Sequence, residues 1–261
     1  MAMLIILRET VLFILMKKLP LLPLLFIGLF LLPQLNWADT SAEFDAAVAA
    51  YDHKDYETAF NLLTKLANQG DPGAQNNLGV MYHNGIGAAQ DDKKAVYWYQ
   101  KAAEQGHASA QNNLGVMYLN GIGILQDDMQ AAYWYQKAAK QGLADAQFNL
   151  GVLYANGIST TQDDKQAVYW YQKAAEQGLT DAQYNLGVMY YRGYGTPKNR
   201  VVAYALVRVA AISNSKARKA QKAISKRLSW DELTAGRKLS DQMSQPGNLL
   251  SALHEYLKKH S

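Results

Sequence analysis

The sequence predicts an all-α protein in which similar helical hairpins stack on one another as a solenoid. The first observation is a segment of 36 residues that occurs four times between residues 72 and 215, marked by Leu-Gly-Val-Met/Leu-Tyr beginning at Leu78, Leu114, Leu150 and Leu186. The second is Tyr-Trp-Tyr-Gln-Lys-Ala-Ala, which recurs in the same register at 97–103, 133–139 and 169–175. Units of this kind bury their apolar faces only against neighbouring copies, which is typical of a solenoid.

The N-terminal segment has the pattern of a secretory leader. Lys17 and Lys18 follow Met16 and precede the apolar run 19–35, after which Ala38 stands before a polar stretch. A basic start, a short apolar run and a small residue are the parts of a signal peptide. We therefore predict that residues 1–38 are a leader, that Met16 is the true start, and that cleavage follows Ala38.

Prolines interrupt the apolar run and disfavour an unbroken membrane-spanning helix. The sequence favours an exported protein, periplasmic or secreted, and a retained signal anchor is the alternative. Residues 39–71 are predicted to form an N-terminal capping helix pair, since Ala59, Ala67 and Gly70 precede Ala95, Ala103 and Gly106 by one period.

Each full copy is predicted to contain two helices. In residues 72–107, Ala74, Leu78 and Tyr82 are four residues apart and form the apolar stripe of a first helix. Gly85 and Gly87 end that helix, because glycine readily adopts positive φ. Asp91 is placed to cap a second helix.

The apolar stripe of the second helix consists of Ala95, Trp98, Tyr99 and Ala102. The first helix contains a glycine in every copy (Gly79, Gly115, Gly151 and Gly187). Glycine inside a helix costs about 1 kcal/mol relative to alanine. Its repetition therefore predicts a helix–helix contact that leaves no room for a Cβ.

This pattern closely resembles the Sel-1-like repeat. The residues that carry the resemblance in the first copy are Ala74, Leu78, Gly79, Tyr82, Gly85, Gly87, Asp92, Ala95, Trp98, Lys101, Ala102, Ala103 and Gly106. The resemblance covers residues 72–215 and implies a right-handed superhelix of antiparallel helix pairs that acts as an interaction scaffold. Ser159 replaces the second loop glycine of the third copy, so we expect that loop to turn differently.

The C-terminal segment 216–261 is predicted to form basic capping helices. Val201, Val202 and Val207 make the second helix of the fourth copy unusually apolar, so another element must cover it. The candidates are helices over 215–228 and 229–243, the second opened by a capping box at Ser229. Residues 249–257 form a further amphipathic stripe, which either packs back on the array or binds a partner or membrane surface.

Charge is distributed unevenly. Residues 39–211 contain 13 Lys and Arg against 17 Asp and Glu, whereas residues 212–261 contain 10 against 4. The basic tail is either the solvated face of a cap or a contact surface for a membrane, peptidoglycan or another anionic partner. The formal net charge of +4 gives no indication of nucleic-acid binding.

The sequence contains no strong catalytic or metal motif. Cysteine is absent and the five histidines lie in unrelated registers, so we expect no metal site and no cofactor. Ser213 and Lys216 match S-x-x-K, and Ser240-Asp241-Gln242 loosely resembles S-D-N, but K-T-G is missing. A secreted hydrolase of the β-lactamase or penicillin-binding kind is therefore only an alternative to a chain that is not an enzyme.

The predicted binding surface is the concave wall formed by the first helices. Asparagines recur there as a ladder at Asn77, Asn113, Asn149 and Asn185. Asn amides can bond a peptide backbone, although each could equally bond within the fold.

Two neighbouring columns differ between copies, and we expect these to determine specificity. The first column is Asn76, Asn112, Phe148 and Tyr184, and the second is His83, Leu119, Ala155 and Tyr191. Both become more aromatic toward the last copy. The overall prediction is a monomeric, non-catalytic scaffold of the cell envelope that binds a protein or extended peptide, anchored at the C-terminal half.

Overall fold

The computed structural model describes residues 37–159 and 161–260. The chain divides into two compact units, Met1–Glu43 and Phe44–Ser261. Of the first unit, only residues 37–43 are described, and they belong to a helix. Residues 1–36 of the predicted leader, with its start at Met16, lie outside the described residues, whereas Trp37 and Ala38, which precede the predicted cleavage point, lie in α1.

The described residues contain helices and no strand, which confirms the all-α prediction. The helices are α1 (Trp37–Asp52), α2 (Tyr56–Asn68), α3 (Pro72–Asn84), α4 (Asp92–Glu104), α5 (Ala108–Asn120), α6 (Asp128–Lys140), α7 (Ala144–Asn156), α8 (Asp164–Glu176), α9 (Thr180–Arg192), α10 (Arg200–Ala210), α11 (Ser215–Ser225), α12 (Trp230–Met243) and α13 (Leu249–Lys259). From α2 to α10, each helix packs mainly against its neighbours along the chain, whereas α11 and α12 both pack on α10 and α13 packs on α12. Within Phe44–Ser261, the architecture is therefore an all-α repeat solenoid. No described helix has the length and apolar character needed to cross a membrane.

Each hairpin begins and ends where the local sequence predicts. Gly85 ends α3 in the left-handed conformation, with φ of 66°. Asp91 caps α4 by accepting a hydrogen bond from the Lys94 amide. Asp127, Asp163 and Asn199 cap α6, α8 and α10 in the same way. These side chains satisfy amides that would otherwise lack a partner at the start of each second helix.

A tyrosine ring lies directly over the glycine of the first helix in three of the repeats. A Cβ built on Gly115 would be 2.7 Å from the ring of Tyr135, and one built on Gly79 would be 2.7 Å from the ring of Tyr99. In the fourth repeat, Val207 takes the place of the tyrosine against Gly187, at 2.6 Å. The prediction of a contact without space for a Cβ is thereby confirmed.

Buried glutamines join successive repeats, a role that the sequence interpretation missed. Gln111 donates to the carbonyl of Ala103 over 3.1 Å and accepts from Gln141 over 2.7 Å. Gln141 also donates to the carbonyl of Gly106. Gln75 with Gln105 and Gln147 with Gln177 form the same pairs. The recurrence of Gln in one register was the available signal. It indicates a set of satisfied polar contacts that fixes how one hairpin sits on the next.

Ser159 of the third interhelical loop keeps the positive φ of the glycines it replaces, so the expected difference is not seen at this residue. Ser159 has φ of 62°, close to 68° at Gly123 and 65° at Gly195. The serine thus adopts the left-handed conformation despite its Cβ. Such a conformation costs a residue other than glycine about 1–2 kcal/mol.

The C-terminal helices cover the apolar second helix of the fourth repeat. Val202 and Leu206 of α10 are fully buried, and α12 packs along α10. The capping box predicted at Ser229 is present, with Glu232 as its partner. Helix α11 ends at Ser225, earlier than the predicted 228, because the chain must leave the helix to give Ser229 its extended capping conformation.

The last amphipathic stripe is buried. Leu249 and Leu253 of α13 belong to the same core cluster as α10, and α13 packs against α12 and α8. Of the two interpretations of this stripe, the described residues show the one in which it packs back on the array.

We predict that Gly115→Ala destabilises the protein by about 1–2 kcal/mol, because overpacking against the buried ring of Tyr135 outweighs the higher helix propensity of alanine. Chemical denaturation followed by circular dichroism measures the change. The control is the same substitution in a Tyr135→Ala background, where alanine at 115 should be neutral or stabilising. A loss of the same size in both backgrounds would contradict the contact.

We predict that Ser159→Gly stabilises the protein by about 1 kcal/mol, because glycine adopts positive φ without a steric penalty. Ser159→Ala keeps the Cβ and is the matched control, for which no comparable gain is expected. Gly123→Ala tests the opposite direction and should destabilise, since its Cβ would lie 2.3 Å from the carbonyl oxygen of Asp92. Thermal unfolding of the three variants decides between these outcomes.

Candidate binding surface on the first helices

The asparagines of the predicted ladder bond to the adjacent first helix. Asn113 donates from Nδ2 to Oδ1 of Asn76 over 3.1 Å, and Asn149 donates in the same way to Asn112 over 2.9 Å. Asn76 itself is buried and donates to Asn77 over 3.2 Å. The ladder therefore connects helices α3, α5 and α7, which is the interpretation in which each Asn bonds within the fold. Each half-buried amide still has hydrogen-bonding capacity beyond these bonds.

The ladder changes at the third repeat, where Phe148 occupies the position of the acceptor asparagines. The next asparagine, Asn185, instead lies beside the hydroxyl of Tyr171 and acts to lower its pKa. Burial has the larger effect and raises the pKa of Tyr171 to about 12. The phenol is therefore neutral at physiological pH.

The aromatic members of both variable columns lie at the C-terminal half of the array. The rings of Phe148 and Tyr171 are 5.9 Å apart and tilted by 39°. Phe148, Tyr184 and Tyr191 are all half-buried and pack against the C-terminal core cluster, as does Ala155. They leave partly exposed aromatic surface on rigid helices, which is the kind of surface that anchors protein partners.

The second variable column contains polar contacts at both ends. Nδ1 of His83 lies 2.7 Å from Oδ1 of Asp92, at the start of the following helix. Leu119 is half-buried and packs against the core cluster formed by α6 and α7. Tyr191 accepts a hydrogen bond from Arg227, which follows it by one repeat length, over 2.5 Å. This contact with the tail was not predicted.

A small apolar cavity opens beside Asn77 at the N-terminal end of the surface. It has a volume of 200 Å³, and its lining residues are Ala47, Val48, Tyr51, Leu63, Asn77, Val80 and Met81. Sequence reasoning missed this cavity, because Ala47, Val48 and Tyr51 belong to α1, which precedes the repeats. The available signal was the valine that follows the glycine in the first helix of every repeat. These valines are all half-buried, and the first of them lines the cavity: Val80, Val116, Val152 and Val188.

The residues of the weak hydrolase motifs have structural partners. Ser213 hydrogen bonds the hydroxyl of Thr180, and with Lys216 it lines an open cavity of 420 Å³. Ser240 is fully buried, does not line that cavity, and bonds Arg208 of α10. The two motifs therefore do not form one site.

Histidines and acidic residues are dispersed over the part of the chain that the structure describes, where no three of them are grouped as metal ligands would be. His107 illustrates their local roles, since it caps α5 by accepting from the Ala110 amide. Burial lowers the pKa of His107, and the charge of Asp71 opposes that shift.

Comparison with known proteins agrees with this architecture. The Sel1 repeat family model matches residues 53–71, 72–107, 108–143, 144–179 and 180–215. The first match adds a partial copy within the segment interpreted as the N-terminal cap. No curated protein matches the chain.

Solved structures of several bacterial proteins are similar. A Sel1 repeat protein from Oxalobacter formigenes is 38% identical, with a TM-score of 0.62, over 65% of this chain and 68% of that one. The protective antigen c5321 of uropathogenic Escherichia coli, which displays an SLR fold, is 29% identical, with a TM-score of 0.53, over 84% of this chain and 56% of its own.

A protein described as a Sel1 repeat protein, from Klebsiella pneumoniae, is 26% identical, with a TM-score of 0.50, over 72% of this chain and 93% of its own. The matched units, the glycine-centred hairpins and the similarity to the Oxalobacter protein lead to one conclusion: the chain belongs to the Sel1 repeat family.

Proposed function

We propose that this protein is a non-catalytic scaffold of the cell envelope that binds an extended segment of a partner protein along its first helices. Sel1 repeat proteins are generally interaction scaffolds without catalytic activity, and they generally bind other proteins. The envelope part of the proposal rests on the leader-like sequence of residues 16–38.

The observation that carries the proposal is the replacement of the Asn–Asn bond by aromatic residues. In the first two repeats, Asn76 and Asn112 each accept a hydrogen bond from an asparagine on the first helix of the next repeat. Phe148 and Tyr184 occupy the same register but cannot accept that bond in the same way, and they keep part of their rings exposed. Exposed aromatic side chains on a rigid helix lose little conformational freedom when they bind, so they suit a specific contact.

The polar residues around these rings suit an extended peptide. Asn149 directly follows Phe148 in the sequence, and Asn185 occupies the same register as Asn149 one repeat later. At the other end, the cavity beside Asn77 is large enough for an aliphatic side chain and is lined mainly by apolar residues. A segment that spans the first helices would therefore meet an apolar recess, then amides, then aromatic rings.

We expect that Phe148→Asn with Tyr184→Asn weakens partner capture by about tenfold or more, because it removes both aromatic anchors. Asparagine is the residue of the first two copies at this register, so the double variant should fold. The measurement is quantitative recovery of co-purifying proteins from an envelope extract by the parent protein and by the variant.

The matched control for this prediction is Tyr97→Asn with Tyr133→Asn, which removes two exposed tyrosines from the second helices. It should leave capture unchanged. Equal recovery by the parent and the Phe148/Tyr184 variant, or equal losses in both variants, would show that the aromatic columns are not the binding surface.

A further inference from the structure

The loop that joins the two helices of the fourth repeat, with the helix ends beside it, differs in charge from the same region of the three earlier copies. Arg192 replaces the asparagines Asn84, Asn120 and Asn156. Lys198 replaces the glutamines Gln90, Gln126 and Gln162, and Arg200 replaces the aspartates Asp92, Asp128 and Asp164. A formal charge of −1 at these three positions therefore becomes +3 in the last copy.

The new cations lie around two tyrosines. The guanidinium carbon of Arg192 is 5.9 Å from the centroid of the Tyr194 ring, and Nζ of Lys198 is 6.0 Å from that of Tyr191. Arg227 from the tail donates to the hydroxyl of Tyr191 over 2.5 Å. Arg227 of the tail is thus a third cation near these tyrosines, besides Arg192 and Lys198 of the fourth repeat.

Arg200 belongs to the same group by its register. In the first repeat, Asp92 at this register touches His83, which is the counterpart of Tyr191. Helix α10 starts at Arg200 as α4 starts at Asp92. We name Tyr191, Arg192, Tyr194, Lys198, Arg200 and Arg227 the fourth-repeat basic patch.

The positive charge of this patch is not neutralised within the described residues. All four cations are exposed, and none of them forms an ion pair with a described acidic side chain. In the third copy the residues at these positions contact each other, since Gln162 donates to the carboxylate of Asp164 over 3.1 Å. The carbonyl oxygen of Asp164 lies against Gly195, between Tyr194 and Lys198, but the Asp164 carboxylate forms no ion pair with the patch.

The neighbouring tail increases the positive potential. Residues 212–230 contain no acidic residue, and the exposed cations of α11 are Lys216, Arg218, Lys219 and Lys222. The buried side of α11, with Ala217 and Ile224, packs into the C-terminal core, so these charges are held on an ordered helix. An ordered cationic surface whose charges form no ion pairs with described acidic side chains attracts an anionic partner.

We propose that the fourth-repeat basic patch binds an acidic peptide segment, recognised through its Asp and Glu carboxylates. Three of its four cations are arginines, whose planar guanidinium groups match a carboxylate with two parallel hydrogen bonds. Tyr191 belongs both to the patch and to the aromatic column of the first helices, so one extended segment reaches both. The inference rests on the proposed function and adds the chemistry of the partner: apolar or aromatic side chains followed by acidic ones.

The test uses a fluorescein-labelled peptide that alternates Glu with Leu, and the same peptide with Gln in place of every Glu. Binding to the purified protein is followed by fluorescence anisotropy. We expect the Glu peptide to bind about tenfold more tightly than the Gln peptide, and raising the salt from about 0.05 to about 0.5 M to reduce this preference.

The decisive variant is Arg192→Asn, Lys198→Gln and Arg200→Gln, of which the first two restore residues of the earlier copies. It should bind the Glu peptide about tenfold more weakly than the parent. The matched control, Lys93→Gln, Lys140→Gln and Lys165→Gln, removes the same charge from exposed positions on second helices and should bind as the parent does. Melting temperatures of both triple variants exclude misfolding.

Several outcomes would overturn the inference: equal binding of the Glu and Gln peptides, unchanged binding by the patch variant, or an equal loss in the control. Binding of the parent to phosphatidylglycerol vesicles without binding to the Glu peptide would assign the patch to a lipid surface instead. The proposed function is tested separately. If the Phe148/Tyr184 variant loses the envelope partner while the patch variant retains it, the first-helix surface stands and the assignment of the patch fails.

Discussion

The contact between a first-helix glycine and a second-helix tyrosine is the interaction on which the rest of this structure depends. With no Cβ at Gly79, Gly115 and Gly151, the two helices of a hairpin approach until the ring of Tyr99, Tyr135 or Tyr171 lies on the backbone. These rings are buried. The ring of Tyr171 also lies against that of Phe148 on the first helix of the same repeat. A packing contact inside one hairpin therefore also positions an aromatic side chain of the proposed binding surface.

Amide side chains then set how hairpins stack. The glutamine pairs satisfy both a buried carbonyl and each other, and the asparagine pairs link adjacent first helices. Such bonds are directional, so they fix the relative position of repeats in a way that apolar packing alone does not. In the fourth repeat, Val207 replaces the tyrosine, and Ser213 stands where the glutamine of the pair would be. The array stops there and the tail helices cover its apolar end, with the contact between Gly236 and Tyr204 repeating the glycine–tyrosine approach.

The proposed function rests on the positions where the copies differ, because the side chains at the shared positions make contacts that hold the fold together. The shared asparagines largely serve the array, whereas Phe148, Tyr184 and Tyr191 keep exposed surface beyond what packing requires. The exchange of Asn, Gln and Asp for Arg192, Lys198 and Arg200 creates no ion pair within the described residues, and these side chains are exposed. Both departures lie in the C-terminal half. A partner that is apolar at one end and acidic at the other would use them together.

The sequence by itself determined the repeat boundaries, the capping residues and the need for close approach at each first-helix glycine, because these depend on local propensities and on a strict period. It also indicated that the apolar face of 201–207 must be covered. Only the tertiary structure decided which amide bonds which, since an Asn or Gln side chain can donate and accept in several directions. It decided as well that Ser159 keeps a glycine's conformation and that the stripe of α13 is buried, because neighbouring helices can override a local preference. Finally, it brought Arg227 to Tyr191, a contact between residues one repeat apart that no local pattern specifies.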